Sequence, residues 1–214
     1  MDGTLVDTEP YWMAAETRLI ESFGGTWSHE QALALVGLGL NDSARILQDA
    51  GVRMRPDEIT AHLTDAVIAQ LQSEGNPFRP GALALLRDLR SAGVKTAVVT
   101  MSLRRMADTV VSAMPFDAFD IVIAGDEATR PKPFPDPYLQ AAAALGVDIA
   151  DTVAIEDSPN GLRSAVASGA VALGVPLMVS LEGIGAHALW DSLDGRTAAD
   201  VAALHAAHRV QATA

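Results

Sequence analysis

The sequence predicts an α/β fold: a parallel sheet covered by helices on both faces, with a block of helices set ahead of it. Three observations carry that expectation. From Pro10 to about Glu74 apolar residues recur at helical spacing, with no strand-like run among them. After Gly81 helical stretches alternate with short apolar runs. Those runs, the β-branched Lys95–Thr100 and the more apolar Phe119–Ala124, Thr152–Ile155 and Val171–Val175, read as strands of a sheet buried on both faces. With 214 residues, 49% of them apolar, the chain can bury one substantial core, or one core and a smaller satellite.

The chain opens on Asp2-Gly3-Thr4-Leu5-Val6-Asp7, a strong turn signal that puts a carboxylate at its start. Tyr11, Ala15, Leu19 and Phe23 then mark one amphipathic helix, stopped by Gly24-Gly25. Similar helices are expected over Glu30–Val36, Asp42–Ala50 and Pro56–Gln72, and Pro77, Pro80 and Gly81 turn the chain back. In the second part, helices are expected over Ala82–Ser91, Leu103–Ala113, Pro135 to Gly146 with Asp136 as cap, and Asn160–Ser168. Residues 181–214 are Ala-rich, with Ala198–Ala207 helical and no chemistry apparent. The domain expectation is therefore an α/β core from residues 1–9 and 80–214, interrupted by a helical unit at 10–79.

A net charge of -12 disfavours nucleic acid and anionic membrane as partners, because both select basic surfaces. The absence of cysteine excludes disulfides and thiolate sites and fits a reducing compartment. Neither a charged-then-apolar leader nor an uninterrupted membrane-length apolar run is read, so a cytoplasmic location is expected.

In an open parallel sheet ligands bind beyond the carboxyl ends of the strands. Thr100 and Ser102 follow one strand candidate and Glu156-Asp157 follow another, while Lys132 lies on a loop ahead of a helix. Asp2, Glu156 and Asp157 are hard oxygen ligands suited to Mg²⁺, and Thr100 and Lys132 suit phosphate oxygens. A carboxylate and a phosphate oxygen about 4 Å apart repel by roughly 4 kcal/mol at an effective dielectric of 20. A divalent cation and a lysine reverse that sign, so the set suits phosphoryl transfer.

These motifs, in this order, resemble the haloacid dehalogenase superfamily, in the branch of phosphatases with a helical cap. Asp2-Gly3-Thr4-Leu5-Val6-Asp7 looks like the end of the first motif, Thr100 ends the second, Lys132-Pro133 is the third and Glu156-Asp157 the fourth. The resemblance implies a Rossmann-like core, with Asp2 as general acid/base and Thr100 and Lys132 as the other catalytic residues. It implies phosphate contacts from Gly3, Thr4 and Ser102, and a Mg²⁺ site from Asp2, Glu156 and Asp157. The family's nucleophilic Asp stands two positions ahead of the one matching Asp2, immediately before Met1, at the end of the central strand. By that resemblance the first, central strand is missing from this chain, which is then expected to be nearly inactive.

The expected substrate is a small phosphorylated metabolite, a sugar phosphate first, with phosphoglycolate or a nucleotide as alternatives. Glu9-Pro10-Tyr11-Trp12 and the Gly37-Leu38-Gly39-Leu40 region resemble hexose-phosphate phosphatases. A β-phosphoglucomutase-like mutase is the weaker alternative, since Trp12 and Leu40 stand where its His and Arg are expected. A catalytically inactive ligand-binding relic is also compatible. A phosphoacceptor signalling domain would have no use for the helical insertion. Asp7 and Glu9 are expected to cap the first helix, Asp126 to cap another element, and Tyr11 and Trp12 to pack. The five histidines show no metal spacing and are expected at the surface.

Overall fold

The computed structural model describes residues 1–209. Its first part is four helices: α1 (Glu9–Ser22), α2 (His29–Leu33), α3 (Leu40–Asp49) and α4 (Pro56–Glu74). Helix α4 packs against both α1 and α3, and Leu19, Ile20, Leu47, Ile59, Leu63 and Val67 fill the space between them. Helix α1 ends where Gly24 takes a positive φ of 79°, which its glycine pair foretold. Helix α2 is one short turn-and-a-half opened by a Ser28/Gln31 capping box, shorter than the apolar spacing suggested.

The second part alternates: α5 (Ala82–Ser91), β1 (Ala97–Val99), α6 (Arg104–Ser112), β2 (Ile121–Ile123), α7 (Asp136–Leu145), β3 (Val153–Glu156), α8 (Pro159–Ser168), β4 (Val171–Gly174), β5 (Ala188–Leu189) and α9 (Ala198–Arg209). Every strand pairing is parallel, as continuous apolar strands require. Asp136 does not cap α7. Pro135 holds the N-cap position, and the Asp136 carboxylate pairs with Arg130 at 2.8 Å. Strand β5 is too short to leave a periodic signal.

The sheet is in two pieces. β1 pairs only with β2, and β3 pairs with β4, which pairs with β5. Between β1 and β3 lies a cavity of about 460 Å³, lined by both strands and by Leu5, Leu85, Leu89, Tyr138, Ala142 and Val201. A helix layer closes it on each side, so the facing edges of β1 and β3 have no strand partner across it.

Two paired segments join the parts. Val6 bridges Phe78, the Asp7 N–H donates to the Pro77 carbonyl at 2.8 Å, and the Arg79 N–H donates to the Leu5 carbonyl at 3.0 Å. The Arg79 guanidinium then donates to the carbonyls of Gly3 (2.6 Å), Val175 (3.0 Å) and Pro176 (3.2 Å). It ties the opening turn to the end of β4. A lone arginine between two prolines gave no sequence signal for this role.

Candidate active site

The turn at Asp2 forms because the Gly3 N–H donates to the Val6 carbonyl and the Leu5 N–H to the Met1 carbonyl, with Gly3 at φ 68°. A side chain at Gly3 would be strained by that φ, and its Cβ would lie 1.9 Å from Asp157 Oδ2. Asp2 is held on both oxygens. Oδ1 accepts from Thr8 Oγ1 at 2.6 Å and from the Trp12 indole at 3.4 Å, and Oδ2 accepts from Ser102 Oγ at 2.6 Å. Trp12 is therefore more than packing. Neither Asp7 nor Glu9 caps α1: its N-cap is Thr8, without a side-chain cap bond, because the Thr8 hydroxyl is spent on Asp2.

Thr100 and Ser102 follow β1, both buried, and the Ser102 N–H donates to Thr100 Oγ1 at 3.1 Å. The loop after β2 packs on this one, for a Cβ at Gly125 would meet the Met101 carbonyl oxygen at 2.1 Å. Asp126 Oδ1 accepts from the Arg104 N–H at 2.9 Å and so caps the start of α6.

Lys132 reaches back into the sheet from its loop, and its side chain is 8% exposed. It donates to the Val99 carbonyl at 2.9 Å and to Glu156 Oε1 at 2.5 Å. Tyr138, which the sequence did not mark, donates its hydroxyl to the same oxygen. Burial first, then the Glu156 charge, pushes the Tyr138 hydroxyl far above its ordinary range. Glu156 also abuts the first turn of α8, where a Cβ at Gly161 would sit 1.9 Å from Oε2. That helix start favours the negative charge.

Asp157 Oδ1 accepts from Thr4 Oγ1 at 2.6 Å. Burial, then the Glu156 charge, raises its carboxyl to about 6, while Thr4 and Lys132 oppose the rise. A buried carboxylate disfavoured as an anion is a place where a cation would bind favourably.

One cavity of about 120 Å³ is lined by Asp2, Thr100, Ser102, Lys132, Glu156 and Asp157. Gly3 and Thr4, expected at the phosphate, do not line it; they pack on Asp157. The three expected metal ligands share the cavity but do not converge: no group of three acidic or histidine side chains among the described residues is poised around one point. The physical reason is that Glu156 is drawn to Lys132 and Tyr138, whereas Asp157 is drawn to Thr4 and Asp2 to Ser102. In donor chemistry Asp2 and Asp157 fit a hard divalent ion.

The opposite wall comes from the helical part: Glu9, Trp12, Met13 and Glu16 of α1, then Leu35 to Leu40 and Ser43. Burial, then the charges of Asp2, Asp157 and Glu16, raises Glu9 to about 8. Burial raises Glu16 to about 7, against a lowering bond from Trp27. The segment Val36–Gly39 closes on the core, with the Gly37 carbonyl accepting from Asn160 Nδ2 at 3.1 Å. A Cβ at Gly37 would meet Ser158 Cβ at 2.7 Å, so only glycine allows this approach.

A two-part α/β chain with this acid-and-lysine cavity between sheet ends and helices defines a class of hydrolase. The chain belongs to the haloacid dehalogenase-like hydrolase family, whose profile matches residues 1–175. It is 30% identical to hexitol phosphatase B of Escherichia coli over 82% of this chain and 81% of that protein. It is 29% identical to the bifunctional riboflavin kinase/FMN phosphatase of Arabidopsis thaliana over 82% of this chain, but spans only 47% of that longer protein. In three dimensions it is similar to a mutant CbbY from Rhodobacter sphaeroides in complex with xylulose-(1,5)bisphosphate, with TM-score 0.84, 27% identity, and 94% and 96% of the two chains covered. The chain is thus a phosphatase-type enzyme of this family, with an α/β fold. No helix among the described residues is long and apolar enough to cross a membrane.

Proposed function

We propose that the protein hydrolyses phosphate monoesters of small metabolites, sugar phosphates first, in a Mg²⁺-dependent reaction through an aspartyl-phosphate. The single observation that carries this reading is the shared cavity in which Lys132, Thr100 and Ser102 stand beside Asp2 and Asp157. Names of relatives support the substrate class: one is a hexitol phosphatase, and another was crystallised with a sugar bisphosphate.

In this mechanism Lys132 and Thr100 hold the transferring phosphoryl group, with Ser102 supporting it and orienting Asp2. Glu156 and Tyr138 fix the lysine in place. Asp2 gives a proton to the departing alkoxide oxygen and then takes one from the attacking water. Thr8, Ser102 and Trp12 set the angle at which it does so. Asp2 and Asp157, with Glu156 behind them, would hold Mg²⁺, which when bound would neutralise phosphoryl charge. Residues 10–79 act as a cap that shields the cavity from water.

The attacking carboxylate of this reading is carried on a strand that residues 1–214 do not contain. Its seat is the largely apolar slot of about 460 Å³ between β1 and β3, bounded by two strand edges without a partner across it and by helices on either side. The mutase alternative is disfavoured because Trp12, bonded to Asp2, stands where that activity needs an imidazole.

The test is phosphate release from a panel of sugar phosphates with Mg²⁺. It compares the 214-residue chain with a version carrying an apolar strand that ends in Asp one position ahead of Met1. The extension is expected to raise turnover by several orders of magnitude, as loss of a nucleophile costs roughly a millionfold in a well-studied hydrolase. No release from any ester by the extended protein would leave an inactive ligand-binding relic as the better reading.

A further inference from the structure

The helical wall of the cavity has a chemistry of its own. Glu9, Trp12, Met13 and Glu16 lie at i, i+3, i+4 and i+7, one face of α1. Among the described residues lining the cavity, no lysine, arginine or histidine comes from the helical part, and Lys132 is the one cationic side chain. A second anionic group on a substrate would therefore meet carboxylates and apolar surface with nothing to neutralise it.

Glu16 is the decisive member. It is 6% exposed, one oxygen accepts a long bond of 3.4 Å from the Trp27 indole, and the other has no partner among the described residues. A glutamine would hold Trp27 equally well without the cost of burying a charge, so anchoring Trp27 does not explain a carboxylate here. Hydroxyl donors do, because a buried carboxylate accepts them in strong charge-assisted bonds.

We infer that Glu16 is a specificity-determining residue: its carboxylate accepts hydrogen bonds from the hydroxyls of a neutral polyol and repels a second phosphate or a carboxylate. The inference rests on the phosphate-ester reading above and narrows it to monophosphates of uncharged polyhydroxylated compounds. Glu9, two turns earlier and nearer Asp2, supplies a second acceptor along the same chain of hydroxyls. Discrimination here is a difference between two affinities, one raised by hydrogen bonds and one lowered by like charge.

Calorimetric binding to the 214-residue protein in Mg²⁺ at about pH 8.5, above the raised Glu16 value of about 7 so that its carboxylate is charged, tests this without turnover. The ligands are glucitol phosphate, phosphoglycolate, a hexose bisphosphate and inorganic phosphate. The wild-type protein is expected to prefer glucitol phosphate over phosphoglycolate and the bisphosphate by roughly tenfold or more. The isosteric Glu16→Gln should lose most of that preference, and Glu16→Lys should shift it toward the anionic ligands. Inorganic phosphate should bind all three proteins alike, within about twofold, which also shows that the variants are folded. An unchanged ligand order across the three proteins, or a wild-type preference for the bisphosphate, would overturn the role of Glu16. Failure of inorganic phosphate to bind the wild-type protein would instead overturn the phosphate-ester reading beneath it.

Discussion

On the core side of the cavity every acidic group is already held: Asp2 by Thr8 and Ser102, Asp157 by Thr4, Glu156 by Lys132 and Tyr138. On the helical side Glu16 has one long bond, and Glu9 has no side-chain partner among the described residues. The core wall is cross-linked by hydrogen bonds between segments far apart in sequence, such as Thr4 with Asp157, and several of its residues sit at strand ends. The helical wall keeps its acceptors free on one face of a single helix. Charge that must develop at a fixed point is best met by committed groups, and variable hydroxyls by uncommitted ones. On the proposed reading, the difference between the walls is a division between chemistry and recognition.

Breaking the core side should have the larger effect. Lys132→Ala removes one partner of an ion pair whose side chains are 8% and 6% exposed, leaving Glu156 buried against Tyr138 alone. Loss of about 3 to 5 kcal/mol is expected from urea unfolding. A loss below about 1 kcal/mol would show that the core wall is not held as described.

The helical side should show itself more gently, through pH. Glu16 is raised from 4.5 to about 7 in the folded chain, so the folded state holds its proton where the unfolded state has lost it. Stability from this group is present below about pH 4.5 and falls as pH rises toward about 7, by on the order of 2 to 3 kcal/mol. Glu16→Gln should flatten the decline of unfolding free energy across that window. Identical slopes in the two proteins would mean that Glu16 is not a strained buried carboxylate.

Much of this was legible in the sequence, and the reason differs by part. Helices with strong apolar spacing and glycine stops, α1, α4 and α8 among them, fall within a residue or two of their expected bounds. Lys132, Thr100, Ser102, Glu156, Asp157 and Asp2 reach one cavity because strand ends and the loops after them share one side of a parallel sheet. What was illegible depends on partners distant in sequence. Tyr138 and Arg79 act through single bonds to Glu156 and to backbone carbonyls, and no local pattern announces those. Glu16 carried no signal of its own, because only the fold shows that its face of α1 meets the core. The resemblance put Gly3 and Thr4 at the phosphate, and their packing on Asp157, more than 150 residues away, left no local signal.

The most direct measurement is titration of the 214-residue protein with inorganic phosphate, with Mg²⁺ and again with the metal chelated. Saturable binding at one site that requires Mg²⁺ is the predicted result. Absence of binding in both conditions, or equal binding without the metal, would contradict a cavity built to gather a phosphoryl group between Lys132 and the paired carboxylates.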